Sequence, residues 1–166
     1  RVARQSIEAR CRGETPPSIT IDSAKLKEPR GAFVTLHKHG MLRGCIGHIM
    51  ATRPLAQTVS EAAVAAAFED PRFPPLDSVE LKDIKLEISV LTPLERIRNN
   101  EDIVVGVHGI VLRKGGRSGL LLPQVATEQG WDRINFLENC CLKAGLPRNA
   151  WRDADTEIFI FSADVF

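Results

Sequence analysis

The sequence predicts an α+β fold built on a mainly antiparallel sheet with flanking helices. Three observations carry this. Segments that alternate apolar and polar residues are joined by a short glycine-bearing turn, as in "FVTLHKHGMLRGCIG" (33–47). Two longer stretches, "TRPLAQTVSEAAVAAAFED" (52–70) and "WDRINFLENCCLKAGLP" (131–147), place apolar residues at helical spacing. Strands and helices do not alternate strictly, which argues against a parallel α/β sheet.

Taken in order, "RVARQSIEARCRG" puts Val2, Ile7 and Cys11 near one face of a helix that Gly13 stops. "ETPPS" (14–18) breaks the chain. "GAFVTLHKHGMLRGCIGHI" (31–49) reads as two strands joined at "HKHG", where glycine makes a positive φ cheap. In the alanine-rich helix, Thr52 is the expected N-cap and Pro54 sits near the first turn. Leu55, Val59, Ala62, Ala63, Ala66 and Ala67 trace its inner face. "DPRFPPL" (70–76) ends it, because proline cannot continue a helix. "DSVEL" opens a brief helical turn, and Ile84, Leu86, Ile88 and Val90 alternate along a half-buried strand. "DIVVGVHGIVLRKGGRSGLLLP" (102–123) predicts three short β segments. The second helix has Asp132 as its cap, Phe136, Leu137, Cys140, Cys141 and Ala144 inside, and Gly145 as its stop. "TEIFIFSADVF" (156–166) closes as one strand.

A chain of 166 residues predicts a single domain with room for two lobes and a core of its own. Hydrophobic residues at 43% and charged residues at 26% place it among ordinary globular proteins, and a net charge of +1 supplies no general attraction for nucleic acid or anionic membrane. Cys11, Cys45, Cys140 and Cys141 form no C-x-x-C pair, so a disulfide framework is not expected and a reducing compartment is. No leader-like opening and no apolar run of about 18 residues is present, so the expectation is a soluble, cytoplasmic protein without a membrane span.

The candidate chemistry centres on "LRGCIG" (42–47). In a regular strand Arg43 and Cys45 share a face, so the cation stands where it would favour a thiolate. Gly44 and Gly47 leave room for a ligand or a second backbone. The bland alternative is a small buried cysteine beside a packed arginine. His37, His39 and His48 surround Cys45 in the sequence, but no spacing matches a zinc pattern, and no metal is assigned. His108, in "GVHGI", is the candidate acid–base partner, against the alternative of a turn histidine facing water. "KGGRSG" (114–119) lacks the Walker spacing and reads as a hairpin loop. Asp70 and Arg72 form a rigid polar corner, either a structural ion pair or a substrate clamp. The residues name no cofactor.

The segments "FVTLHKHGMLRGCIG", "AAFEDPRFPPL", "LEISVLTP", "VGVHGIVL", "LLLPQVATEQGWD" and "FLENCCLKAGLP" occur in the order found in the AMMECR family, and the chain resembles that family from about residue 30 to 151 at least. Prokaryotic members are also called protein A of the AmmeMemoRadiSam system. The resemblance implies a two-lobed α+β fold with Leu42–Gly47 near a cleft between unequal lobes. It carries over Arg43, Gly44, Cys45, Gly47, Asp70, Arg72, Phe73, His108, Gly109, Pro123 and Gln124 as positions matching the family's motifs. It implies a family without an established activity; the catalytic candidates Cys45 and His108, with Arg43, Gly44, Gly47, Asp70, Arg72 and Gln124 around a small-molecule or peptide ligand, are a reading of these residues. By family association the partners are a MEMO-like protein and a radical S-adenosylmethionine protein. Two functions follow: a cysteine-dependent enzyme in a modification pathway, or a non-catalytic module that binds a ligand or partner.

Overall fold

The first sheet begins with a hairpin whose turn fixes its pairing. Ala32–Lys38 (β1) and Met41–His48 (β2) are joined by His39 and Gly40, both at positive φ (51° and 80°). Two such residues give the loop whose twist matches the flanking strands. Ile84–Leu91 (β3) pairs antiparallel with the other edge of β1, and Ala163–Val165 (β8) adds to β3, giving the order β2-β1-β3-β8. The structure is a computed structural model and describes residues 1–16 and 23–166. Of the "ETPPS" breaker, Pro17 and Ser18 lie outside the described residues.

Among the described residues three α-helices belong to this sheet's unit: Val2–Cys11 (α1), the single turn Ala24–Lys27 (α2) and Leu55–Phe68 (α3). Alternation sends Ala32, Val34 and Leu36 to one face of β1, where they pack with Val59, Ala62, Ala63, Ala66 and Ala67 of α3. The short side chains of α3 let its backbone come close to the strands. Between α1 and α3 the buried hydroxyls of Ser6 and Ser60 satisfy each other at 2.8 Å.

Thr52 does not cap α3. The helix starts after Pro54, and the Leu55 N–H donates to the Glu28 carbonyl at 2.9 Å, beside a Pro29–Pro54 β-bridge. A backbone partner distant in sequence replaces the side-chain cap that local pattern predicts.

The second unit, Thr92–Ala163, holds its own antiparallel sheet in the order β4-β7-β5-β6: Glu95–Ile97 (β4), Gly109–Lys114 (β5), Arg117–Leu121 (β6) and Glu157–Phe161 (β7). Pro123–Gln129 (α4) and Arg133–Lys143 (α5) complete it. Asp132 caps α5 by accepting the Asn135 N–H at 2.8 Å, and Gly145 leaves it at a φ of 72°. Ile110, Leu112, Phe136, Leu137, Cys140 and Cys141 form its core. Burial pushes the Cys140 thiol up to about 12. All four cysteines are free.

Two further expectations change. The segment from Asp102 gives two strands and not three, because the Asn99 side chain caps a 3₁₀ turn at Asn100–Asp102 and Val104–His108 closes a second turn through Gly106. The final segment is two strands in two sheets: Ser162 exchanges backbone and side-chain bonds with Thr92, and the chain then returns to the first sheet as β8. Strand β4 and helices α2 and α4, too short for periodicity to show, complete the set. Among the described residues no helix is long and apolar enough to cross a membrane.

Candidate functional site

Strand β2 lies at the edge of its sheet, so among the described residues one side of its backbone has no strand to bond. At Cys45 the corner after α3 supplies the missing partners. The Cys45 N–H donates to Asp70 Oδ2 at 2.9 Å, and Arg72 Nη2 donates to the Cys45 carbonyl at 3.3 Å. Asp70 also accepts the Arg72 backbone N–H at 3.1 Å and its guanidinium at 2.9 and 2.7 Å. The two residues clip the strand edge in place of a neighbouring strand, which is one way an exposed edge is blunted. The Asp70 side chain is 2% exposed and that of Arg72 54%. Hydrogen bonds from the Arg72 side chain hold the Asp70 carboxyl well below the usual carboxylate range, outweighing the upward push of burial. Of the two sequence readings of this corner, the structural ion pair is present, and it reaches the Cys45 backbone directly.

Cys45 stands opposite Thr35 and is half-buried. Their side chains meet, and Thr35 Oγ1 donates to Cys45 Sγ at 3.3 Å. Gly44 faces α3: a Cβ there would overlap the Ala66 carbonyl oxygen. At Gly47 a Cβ would overlap the Phe33 ring, which lies against the glycine.

Arg43 does not share the face of Cys45. The pairing passes from Leu36–Gly44 to His37–Leu42, which makes Arg43 the extra residue of a β-bulge and breaks the two-residue alternation. Its Nε and Nη2 donate to the Glu80 carboxylate at 3.2 and 2.9 Å, and Lys38 reaches the same carboxylate at 2.8 Å. Glu80 sits in the 3₁₀ turn Ser78–Asp83 and accepts the Asp77 N–H at 3.1 Å. The Arg43 side chain is 11% exposed, so its charge is compensated inside the protein. Hydrogen bonds from Arg43 first and Lys38 second lower the Glu80 carboxyl to about 2.

A depressed carboxylate stabilises the fold above its unfolded value near 4.3, and that stabilisation is lost as pH falls toward 2. Glu80→Gln is therefore expected to cost about 2 kcal/mol at pH 7, after allowance for solvent screening. It should cost little at pH 2. Urea midpoints at pH 7 and across the acid limb check this; an equal loss at both ends would remove the charge from the explanation.

His108 and Gln124 belong to the second unit. His108 Nδ1 accepts the Val104 N–H at 3.1 Å, tying that nitrogen into the turn and leaving Nε2 open. Gln124 is exposed in the first turn of α4, where its carbonyl accepts the Thr127 hydroxyl at 2.8 Å. Among the described residues no group of three or more His, Cys, Asp or Glu side chains is placed to hold a metal ion. Sequence reasoning missed Thr35 and Glu80. Thr35 meets Cys45 only because the bulge shifts the hairpin register, and the partnership of Arg43 with Glu80 spans 37 residues and has no local mark.

The AMMECR1 family profile matches residues 1–166. Protein MK0488 of Methanopyrus kandleri is 49% identical over 162 residues, covering 92% of this chain and 76% of its own. A protein of Methanothermobacter thermautotrophicus is 46% identical over 173 aligned positions, covering all of this chain and 90% of its own. The crystal structure of protein PH0010 from Pyrococcus horikoshii is 40% identical and superposes with a TM-score of 0.86, over 99% of this chain and 86% of that one. With its whole length matched by the family profile and archaeal relatives close to half identical, the chain belongs to the AMMECR1 family.

Proposed function

We propose that this AMMECR1 domain is a cysteine-dependent enzyme acting in a modification pathway, with Cys45 as the attacking group. One observation carries the reading: a half-exposed thiol whose backbone is clipped by Asp70 and Arg72 and whose sulfur direction is set by Thr35. A nucleophile gains from being held in one orientation. Arg72, half exposed beside it, serves the ligand. Gly47 lies on the same face as Cys45 and completes the ligand surroundings, whereas Arg43, turned to Glu80, and Gly44, turned to α3, hold the strand from behind. On this reading the chain is of the AmmeMemoRadiSam protein A type, located in the cytoplasm, with a MEMO-like protein and a radical S-adenosylmethionine protein as its partners. The unchanged "LRGCIG" motif supports that placement.

The second reading is a non-catalytic binding module. It is favoured by Arg43, whose charge is compensated by Glu80, and by a clip that serves the strand edge in its own right. The two separate by reactivity. In a Cys11→Ser chain, with Cys140 and Cys141 buried, iodoacetamide reports on Cys45. The enzyme reading expects alkylation at pH 7 about tenfold faster than in an LRGCIG peptide, the order of gain seen in activated cysteines. A rate at or below the peptide's removes the nucleophile and favours the binding module.

A further inference from the structure

The face of the first sheet turned away from α3 carries chemistry that the sequence motif does not include. Thr35 stands opposite Cys45 on β2 and opposite Glu87 on β3, so Cys45, Thr35 and Glu87 form one row across three strands. All three are partly exposed. Along one side runs the row of Gly47, Phe33 and Ser89; along the other, Leu42, His37 and Lys85.

The charges on this face are unevenly matched. At the β2 end the Arg72 guanidinium is held by Asp70. At the β3 end the Glu87 carboxylate has neither a hydrogen-bond nor an ion-pair partner among the described residues. Lys85, the next residue on the same face of β3, is exposed and belongs to the row of His37. The sign of the charge thus changes between the two rows, and the side that suits a cation is that of Phe33 and Ser89. There Phe33 stands diagonal to Glu87 with its ring against Gly47, and an ammonium group is attracted to the carboxylate.

We propose that the ligand of this face is an amine-bearing molecule, its ammonium group held by Glu87 beside Phe33 and a recognised carbon at Cys45. Two strand spacings separate the ends of the row, so the amine stands roughly 9 to 10 Å from that carbon, less the reach of the side chains. The inference rests on the Cys45 face being the ligand site, as in the function proposed above, and adds the class of ligand. It holds whether the ligand is transformed or only bound, because it concerns charge and spacing.

Methanethiosulfonates that differ only in charge test it. Each forms a mixed disulfide with a thiolate and releases methanesulfinate. The Cys11→Ser chain is treated with the neutral methyl, cationic trimethylammonioethyl and anionic sulfonatoethyl reagents, and an LRGCIG peptide serves as reference. The cationic-to-anionic rate ratio at Cys45 is expected to exceed the peptide's by about fivefold at low ionic strength, and to fall with added salt. Glu87→Gln should return the ratio to the peptide's value, and Lys85→Gln should raise it. A ratio equal to the peptide's, or one indifferent to Glu87→Gln, overturns the inference while leaving the Cys45 site standing, provided the neutral reagent reacts. Failure of the neutral reagent to modify Cys45 in the folded chain overturns both.

Discussion

Replacing Gly44 by alanine is expected to cost about 3 kcal/mol or more of folding free energy, at the upper end of what overpacking does. The added methyl would overlap the carbonyl oxygen of Ala66, a backbone atom that no rotamer change can move. Relief requires lifting α3 from the sheet, and Ala62, Ala63, Ala66 and Ala67 are packed there against Val34 and Leu36. Gly40→Ala makes a suitable comparison. Gly40 has a positive φ but open space around it, so that change should cost only about 1 kcal/mol. Urea midpoints for the two variants check the order. A Gly44→Ala loss no larger than that of Gly40→Ala would show that the helix yields freely.

The second large effect is expected at Asp70. Asp70→Asn keeps the shape and one acceptor but removes the charge that binds the Arg72 guanidinium, at a side chain almost wholly buried. Breaking such a pair typically costs about 3 kcal/mol. The amide proton of Cys45, which Asp70 accepts, should also exchange faster with solvent, a change that a general loss of packing would not confine to that strand edge. The pH dependence has a definite sign. The Asp70 carboxyl is depressed in the fold, so its contribution is complete above the unfolded value near 3.9 and drains away as pH falls below it. The Asn variant should therefore show a flatter acid limb. A cost under about 1 kcal/mol, well below that of a broken buried pair, would mean the clip does not hold the edge.

Much of the fold was legible because its signals are local. The inner face of α3 shows in its alanines, the Asp132 cap in a single residue, and the hairpin turn in Gly40. What was not legible depends on contacts far apart in the chain. Thr52 loses the cap to a backbone bond between Leu55 and Glu28. The candidate site was located by the glycines around Cys45, but its geometry was misread by one residue. In a regular hairpin from His39–Gly40, Thr35 would face Gly44 and Cys45 would face Val34. The bulge at Arg43 shifts the pairing, giving Cys45 the Thr35 hydroxyl and sending the arginine to Glu80. Nothing in "LRGCIG" alone announces that extra residue. Its partner lies in the 3₁₀ turn Ser78–Asp83, which the sequence marks as a brief helical turn but not as the partner of Arg43.

The return of the chain to the first sheet as β8 bears on the order in which the protein can be made. The second unit is an insertion between two neighbouring strands of the first, entered after Leu91 and left at Asp164. Domains made on the ribosome generally fold from the N-terminus onward. Here every residue of the inserted unit emerges while the enclosing sheet still presents β3 as a bare edge, and a bare edge invites pairing with other chains. The inserted unit can thus be complete first, and the half that carries Cys45 closes last, when β8 arrives to cover that edge.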